Sequence, residues 1–310
     1  MTTINAELLK IIKEKYPNMN TEKLAQELNI SIYQLRRIVS KNKIAKSHVF
    51  KQQLIRELQQ KRALAYEDNI IEYKPSQFQE NIIVGSLLGD GSLACYGRSK
   101  ESFYREHGCR KQADYRAWKA EMLASLDFKY YDQYKAPSIK SPSNLLYSYY
   151  HKLFYRNGRK RITPQILTKL NHPIGLLCLY LDDGTLVIDR YIRKNRIHLF
   201  PRITIYSQSF SENENILLQK HILDTFGVQF ILKKRKDGEG YVLQCNYRDH
   251  IILFLQIIQH QHPLLDCMAY KMNLKSALIT KKANYGKRSV IDRLYKLEVF
   301  VANKSEILQV

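Results

Sequence analysis

Residues 82–93 read IIVGSLLGDGSL and residues 175–186 read GLLCLYLDDGTL. Placing Asp90 on Asp183 sets an offset of 93 residues (183 − 90), and the neighbouring positions then agree. Both segments are apolar runs of about two helical turns that close on Asp-Gly, a hydroxyl residue and Leu. An apolar run of this length, bounded by glycine, predicts a buried helix. The same elements follow each run: a basic, strand-rich stretch, then an amphipathic helix, KQADYRAWKAEML (111–123) or SENENILLQKHILDTFG (211–227). In the second helix Ser211 and Glu214 form a capping box and Gly227 marks the end. RITIYSQ (202–208), VQFILKK (228–234) and YVLQCNY (241–247) alternate as strands do, the last two joined by the turn KDGEG. RDHIILFLQII (248–258) supplies a third helix. Each half therefore reads as helix, two strands, helix, two strands, helix, and two such halves imply a pseudo-twofold axis.

An apolar helix ending in aspartate can pack against its twin and deliver two carboxylates to neighbouring positions. Gly85 and Gly89, four residues apart, let the helix backbones approach closely. Cys178 and Asp182 stand in their places in the second run, which makes that side of the pair bulkier. Paired carboxylates repel, and a divalent cation relieves the repulsion. Mg²⁺ suits them because it takes one or two carboxylates with waters and phosphate oxygens.

Composition agrees with a polyanionic partner. The chain of 310 residues carries 50 Lys+Arg against 29 Asp+Glu, a net charge of +21, so nucleic acid is the expected partner. Its 22 Tyr and 11 Phe suit base stacking and sugar–phosphate contacts. No apolar run approaches the roughly 20 residues a bilayer requires, and MTTINAELLK lacks the apolar centre of a signal peptide. Cys95, Cys109, Cys178, Cys245 and Cys267 form no CxxC pair, so reduced thiols in an intracellular protein are expected. The HQH at 260–262 lacks a second ligand pair, which argues against zinc.

The first 70 residues read as a separate helical segment. Thr21 caps EKLAQEL, Asn29 takes a left-handed turn, and Ser31 caps IYQLRRIV. With Tyr33, Gln34, Arg36 and Arg37 outward, this resembles a helix-turn-helix DNA reader. A helical hairpin with a solvated basic face is the alternative. A further helix over about 51–66 leads into EDNIIEYKPSQ, a linker ended by Pro75.

The paired runs resemble the two signature motifs of the LAGLIDADG homing endonucleases in their single-chain form. HGCRKQADYRAWKAEML (107–123), RKRITPQILTKL (159–170) and PLLDCMAYK (263–271) fit the same family, and the resemblance covers about residues 78–280. It implies an α+β fold of two pseudo-symmetric αββαββα halves, whose antiparallel sheets form a DNA-binding saddle, beside an N-terminal helical domain. The expected divisions are 1–70, 76–170, 171–282 and a C-terminal tail, 283–310. The implied activity is a metal-dependent double-strand break in a long asymmetric DNA target, made by a monomer. Mg²⁺ is the implied cofactor, with Mn²⁺ substituting and Ca²⁺ supporting binding without cleavage.

The resemblance also implies roles for particular residues. Asp90 and Asp183 are the expected catalytic metal ligands. Gly89 and Asp182 complete the metal set, Asp182 through its backbone carbonyl or an outer-sphere contact. Lys271 and Lys160 are the expected basic residues near each scissile phosphate, with Arg159 and Arg161 as neighbouring alternatives to Lys160. Gln208 and His107 are candidates to position water. Strand residues that read DNA are expected at Arg98, Lys100, Arg105 and Arg110, at Arg190, Arg193, Arg196 and Arg202, and in a turn at Lys233, Lys234, Arg235 and Lys236. A chain from Met1 to EILQV, without the terminal residues of self-splicing, suggests a free-standing protein encoded in an intron or between genes. A binding module on the same scaffold, an intron RNA maturase or a transcriptional regulator, is the alternative. The retention of both aspartates favours the nuclease, because neighbouring carboxylates repel unless a cation binds.

Overall fold

The computed structural model describes residues 6–67, 71–95, 99–132, 136–261 and 265–291. The chain forms two compact units, Met1–Ile71 and Glu72–Val310. No described helix is long and apolar enough to cross a membrane.

The first unit contains α1 (Ala6–Lys15), α2 (Thr21–Glu27), α3 (Ile32–Lys41) and α4 (His48–Glu67). Ile12, Leu24, Ala25, Leu35 and Val39 form its core. Asn29 adopts the left-handed conformation (φ 51°) between α2 and α3. Ser31 caps α3 through a capping box with Gln34, as its sequence signature predicts. The cap of α2 is Asn20, one residue before the expected Thr21; its side-chain oxygen accepts the Glu22 N–H at 2.8 Å. An amide oxygen on an extended residue reaches the orphan N–H groups that Thr21, already helical, cannot.

The second unit opens with α5 (Gln77–Leu88), β1 (Ser92–Ala94), β2 (Phe103–His107), α6 (Ala113–Met122), β3 (Lys129–Tyr131), β4 (Ser138–Lys140) and α7 (Leu145–Phe154). A small hairpin, β5 (Tyr155–Arg156) with β6 (Arg159–Lys160), and α8 (Pro164–Leu167) lead to the repeat. There follow α9 (Pro173–Asp183), β7 (Gly184–Arg193), β8 (Arg196–Ile205), α10 (Glu212–Phe226), β9 (Ile231–Lys234), β10 (Tyr241–Cys245) and α11 (Arg248–Gln261). The sheets run β1-β2-β4-β3 and β7-β8-β10-β9, all pairs antiparallel, so both halves are αββαββα.

Two expectations are corrected. The division at 282/283 falls inside α12 (Leu274–Tyr285), and β11 (Ser289–Ile291) then joins β8 in parallel. Residues 283–291 are thus structured, and one sheet is not wholly antiparallel. Residues 292–310 of the expected tail lie outside the described residues.

The two motif helices, α5 and α9, pack against each other at the centre of one continuous core. Ser76 and Gln79 form a capping box at the start of α5, and Pro173 occupies the first turn of α9 behind the His172 cap. The close approach involves Gly85 and Gly175, where a Cβ on Gly85 would lie only 2.9 Å from the Gly175 carbonyl carbon and nearer still to its oxygen. Gly85 thus faces Gly175 and not Cys178. The bulk of Asp182 is accommodated by Gly89, whose added Cβ would fall 2.6 Å from that of Asp182. The glycine after each motif aspartate is required for space: a Cβ on Gly184 would meet the Tyr180 ring at 2.5 Å, and one on Gly91 the Ser86 carbonyl oxygen at 2.8 Å.

Candidate active site

Because α5 and α9 cross backbone to backbone and end together, their C-terminal carbonyls and the carboxylates of Asp90 and Asp183 gather in one place. Each helix terminus also contributes the negative end of its dipole. Two lysines answer this field. Lys160 donates to the Gly89 carbonyl at 2.9 Å and the Gly91 carbonyl at 2.5 Å. Lys271, 7% exposed, donates to the Leu181 carbonyl at 2.6 Å and the Asp182 carbonyl at 3.3 Å. Each lysine follows the third helix of its half, on β6 or in the 3-10 turn Asp266–Lys271. Arg159 is exposed, and Arg161 donates to the Leu153 carbonyl at 3.2 Å at the end of α7. Of the three neighbours, Lys160 alone reaches the motif ends.

Burial, then the neighbouring charge of Asp90, pushes the Asp183 carboxyl up to about 6, while Lys160 and Lys271 oppose the rise. Burial lowers both lysines, against the pull of the aspartates.

Asp182 faces elsewhere. Its carboxylate is buried and accepts from Lys119 Nζ at 2.9 and 3.0 Å. Lys119 also donates to Glu106 at 3.0 and 3.1 Å. Glu106 pairs with Arg116 (Nε to Oε1, 2.6 Å) and accepts from the Tyr104 hydroxyl at 2.5 Å. Arg116 in turn holds Asp90 at 2.5 Å. This chain from Asp90 to Asp182 was not foreseen. Its one sequence signal is the placement of Arg116 and Lys119 three apart on the face of α6 that also buries Tyr115 and Ala120. Despite desolvation, Lys119 and Arg116 hold the Glu106 carboxyl low, and Asp182 with Glu106 keeps Lys119 raised. Burial raises Asp182 to about 7, with Lys119 opposing.

Carboxylate oxygens of Asp90, Glu106 and Asp182 lie within 4.8 Å of one another. Arg116 and Lys119 already occupy that trio with ion pairs, so it is a poor metal site. Asp90 and Asp183, with the Gly89 and Asp182 carbonyls, make an all-oxygen set that suits a hard divalent ion.

The sheet faces sort the expected DNA contacts. In the first sheet Arg105, Lys140 and Lys129 pair directly across β2, β4 and β3, on the face opposite the buried Tyr104, Glu106 and Ile139. Lys129 and Lys140 were not among the expected residues. Like charges directly opposed destabilise a sheet, so a bound polyanion would relieve the row. His107 is exposed at the end of β2 on the same face, Lys100 is exposed, and Arg110 is paired with Asp132. Arg98 lies outside the described residues.

In the second sheet Arg193, Arg196 and Arg202 share a face with Tyr191 and His198, whose rings stack at 4.7 Å. Arg202 is held by Asp189 at 2.5 Å. Arg190 departs from expectation: it lies on the opposite, apolar face, 4.9 Å over the ring of Tyr285. Lys233 and Lys234 lie on β9, with only Arg235 and Lys236 in the turn, where Arg235 pairs with Asp237. Lys233 falls on the face of Arg202 and Lys234 on the other. Gln208 is exposed beside Gly240 at the mouth of the β9–β10 hairpin. In the first unit Tyr33, Arg36 and Arg37 are exposed, whereas the Gln34 side chain accepts the Ser31 N–H at 3.0 Å and serves as the cap.

The model of the LAGLIDADG DNA endonuclease family matches residues 80–252. Protein RecA of Mycobacterium shimoidei is 27% identical over 187 residues, 59% of this chain and 43% of that protein. The chain thus spans under half the length of that relative. DNA endonuclease I-ChuI of Chlamydomonas applanata is 25% identical over 224 residues, 64% of this chain and 95% of that protein. Among solved structures, the homing endonuclease I-WcaI bound to its DNA recognition sequence superimposes with a TM-score of 0.51 at 16% identity, covering 65% of this chain and 88% of that one.

Proposed function

The chain belongs to the LAGLIDADG DNA endonuclease family, and from that premise we propose that it is a site-specific homing endonuclease. It acts as a monomer that makes a double-strand break in a long asymmetric duplex. The observation that carries this reading is the meeting of Asp90 and Asp183 at the ends of α5 and α9, flanked by Lys160 and Lys271. Asp90 and Asp183, with the Gly89 and Asp182 carbonyls, would hold Mg²⁺; Mn²⁺ would substitute, and Ca²⁺ would support binding alone. The divalent ion supplies charge neutralisation for the phosphate and a lower pKa for attacking water.

The remaining chemistry falls to side chains. Lys160 and Lys271 offer ammoniums that stabilise charge developing on a phosphate oxygen once they turn from the carbonyls they now bond. The Arg105–Lys140–Lys129 row and the Arg193, Arg196 and Arg202 face supply phosphate and base contacts. Tyr33, Arg36 and Arg37 offer a further DNA contact from the first unit. Incubating the protein with a randomised duplex library and Mg²⁺ tests this reading. Recovery of one long, non-palindromic cut sequence supports it. Recovery of bound but uncut DNA with Mg²⁺ and with Mn²⁺ would replace it with a binding module.

A further inference from the structure

The charged chain behind Asp90 has no counterpart behind Asp183. Strand register makes the comparison direct. Ser92, two residues past Asp90, pairs with Arg105, and Thr185, two past Asp183, pairs with Thr204. Glu106 therefore corresponds to Ile205, which is buried and apolar. On the helices, buried Arg116 and Lys119 of α6 correspond to buried Asn215 and Leu218 of α10. The Asn215 amide is committed locally, donating to the carbonyls of Ser207 at 3.2 Å and Phe210 at 3.1 Å. Asp90 is gripped by Arg116, whereas among the described residues Asp183 forms no ion pair.

On the reading that the chain cuts both strands, we infer that Arg116 is a positioning residue for the first-half centre alone. Its guanidinium is a rigid planar fork. Its Nε lies 2.6 Å from Glu106 Oε1 as an ion pair, and its Nη2 donates to Asp90 Oδ2 at 2.5 Å. Glu106 is itself immobilised by Lys119 and the Tyr104 hydroxyl, and Lys119 by Asp182 of the second motif. The extra acid of the second motif thus braces the carboxylate of the first. Asp183 is placed by the α9 backbone, with no such fork.

The two strands of a bound duplex should therefore respond differently to Arg116. The test is a single-turnover assay with Mg²⁺ on a duplex labelled separately on each strand. Arg116→Met should slow one strand by about 10- to 100-fold, as small misplacements do, and leave the other within about twofold. Nicked plasmid would then accumulate. Arg116→Lys keeps a charge beside Glu106 but cannot bridge two carboxylates as a fork, so it should slow the same strand less.

A second readout needs neither metal nor cleavage: the Asp90 χ1 couplings by NMR. They should report one staggered rotamer in the wild type and averaging in Arg116→Met. Equal slowing of both strands, or an Asp90 rotamer unchanged by the substitution, would overturn the inference. Should Arg116→Met lose cooperative unfolding, Arg116→Lys decides by the same two readouts. A wild type that cuts neither strand would fail the endonuclease reading, while the rotamer measurement would still decide for Arg116.

Discussion

Gly85 and Gly175 meet backbone to backbone, with the Gly175 carbonyl carbon 2.9 Å from where a Gly85 Cβ would stand. Neither partner can rotate away, because both are main chain in buried helices. Gly85→Ala should therefore destabilise the second unit by about 3 kcal/mol or more, the upper end of overpacking effects. Gly158→Ala is the control: its φ is +73° with no neighbour within 4 Å, so only about 1–2 kcal/mol of backbone strain is expected. Urea unfolding measures both. Equal losses would show that the α5–α9 contact is not tight.

The adjacent acids of the second motif should separate by phenotype. Asp182→Asn breaks the buried pair with Lys119, a change that typically costs about 3–5 kcal/mol, but it also removes a carboxyl that burial raises to about 7, so with Glu106 remaining the net loss of stability should be small. Asp183→Asn should not lower stability at pH 8. The reverse pattern in thermal unfolding would exchange their roles.

Asp183 also makes stability depend on pH. Its folded carboxyl is raised to about 6, above the ordinary value of 3.8, by burial and then by Asp90. The folded state therefore binds more protons between these values, and stability must fall as pH rises through that window. In metal-free protein, Asp183→Asn should be more stable than wild type at pH 8. The difference should shrink as pH falls through 6 towards 4. A difference that grew on acidification would contradict the placement of this carboxylate among negative charge.

The sheet faces predict which cations matter for DNA. Lys129→Ala and Lys140→Ala should each weaken duplex binding and reduce the slope of log K against log salt by about one. Arg190→Ala, on the face of Tyr285, should leave that slope unchanged. Fluorescence anisotropy across a salt series measures all three, and a lowered slope for Arg190→Ala would mean that the face assignment is wrong.

The sequence was legible wherever a local rule decided the structure. The two Asp-Gly runs, the cap at Ser31, the capping box at Ser211 and the left-handed Asn29 each depend on neighbours within a few residues, and each stands as read. What stayed hidden depended on partners distant in the chain. Arg116 and Lys119 look like ordinary helix charges until α6 is packed beside Glu106 and Asp182, 76 residues apart (182 − 106). Arg190 looks like its neighbour Arg193 until strand parity places it over Tyr285 of α12. The row of Arg105, Lys140 and Lys129 appears only through the registers of two strand pairs. Gln34 illustrates a competition: a polar side chain suited to reading DNA was taken by its own helix cap.

Cleavage of a plasmid carrying the selected site, with Mg²⁺, by wild type, Asp90→Asn and Asp183→Asn tests the central claim most directly. An amide is nearly isosteric with the carboxylate and removes one negative charge beside the duplex, so binding in Ca²⁺ should stay close to that of wild type. Wild type should give linear product, and neither variant should. Normal linearisation by either variant, with Asp182→Asn inactive yet stably folded, would contradict the assignment of Asp90 and Asp183 as the two catalytic carboxylates.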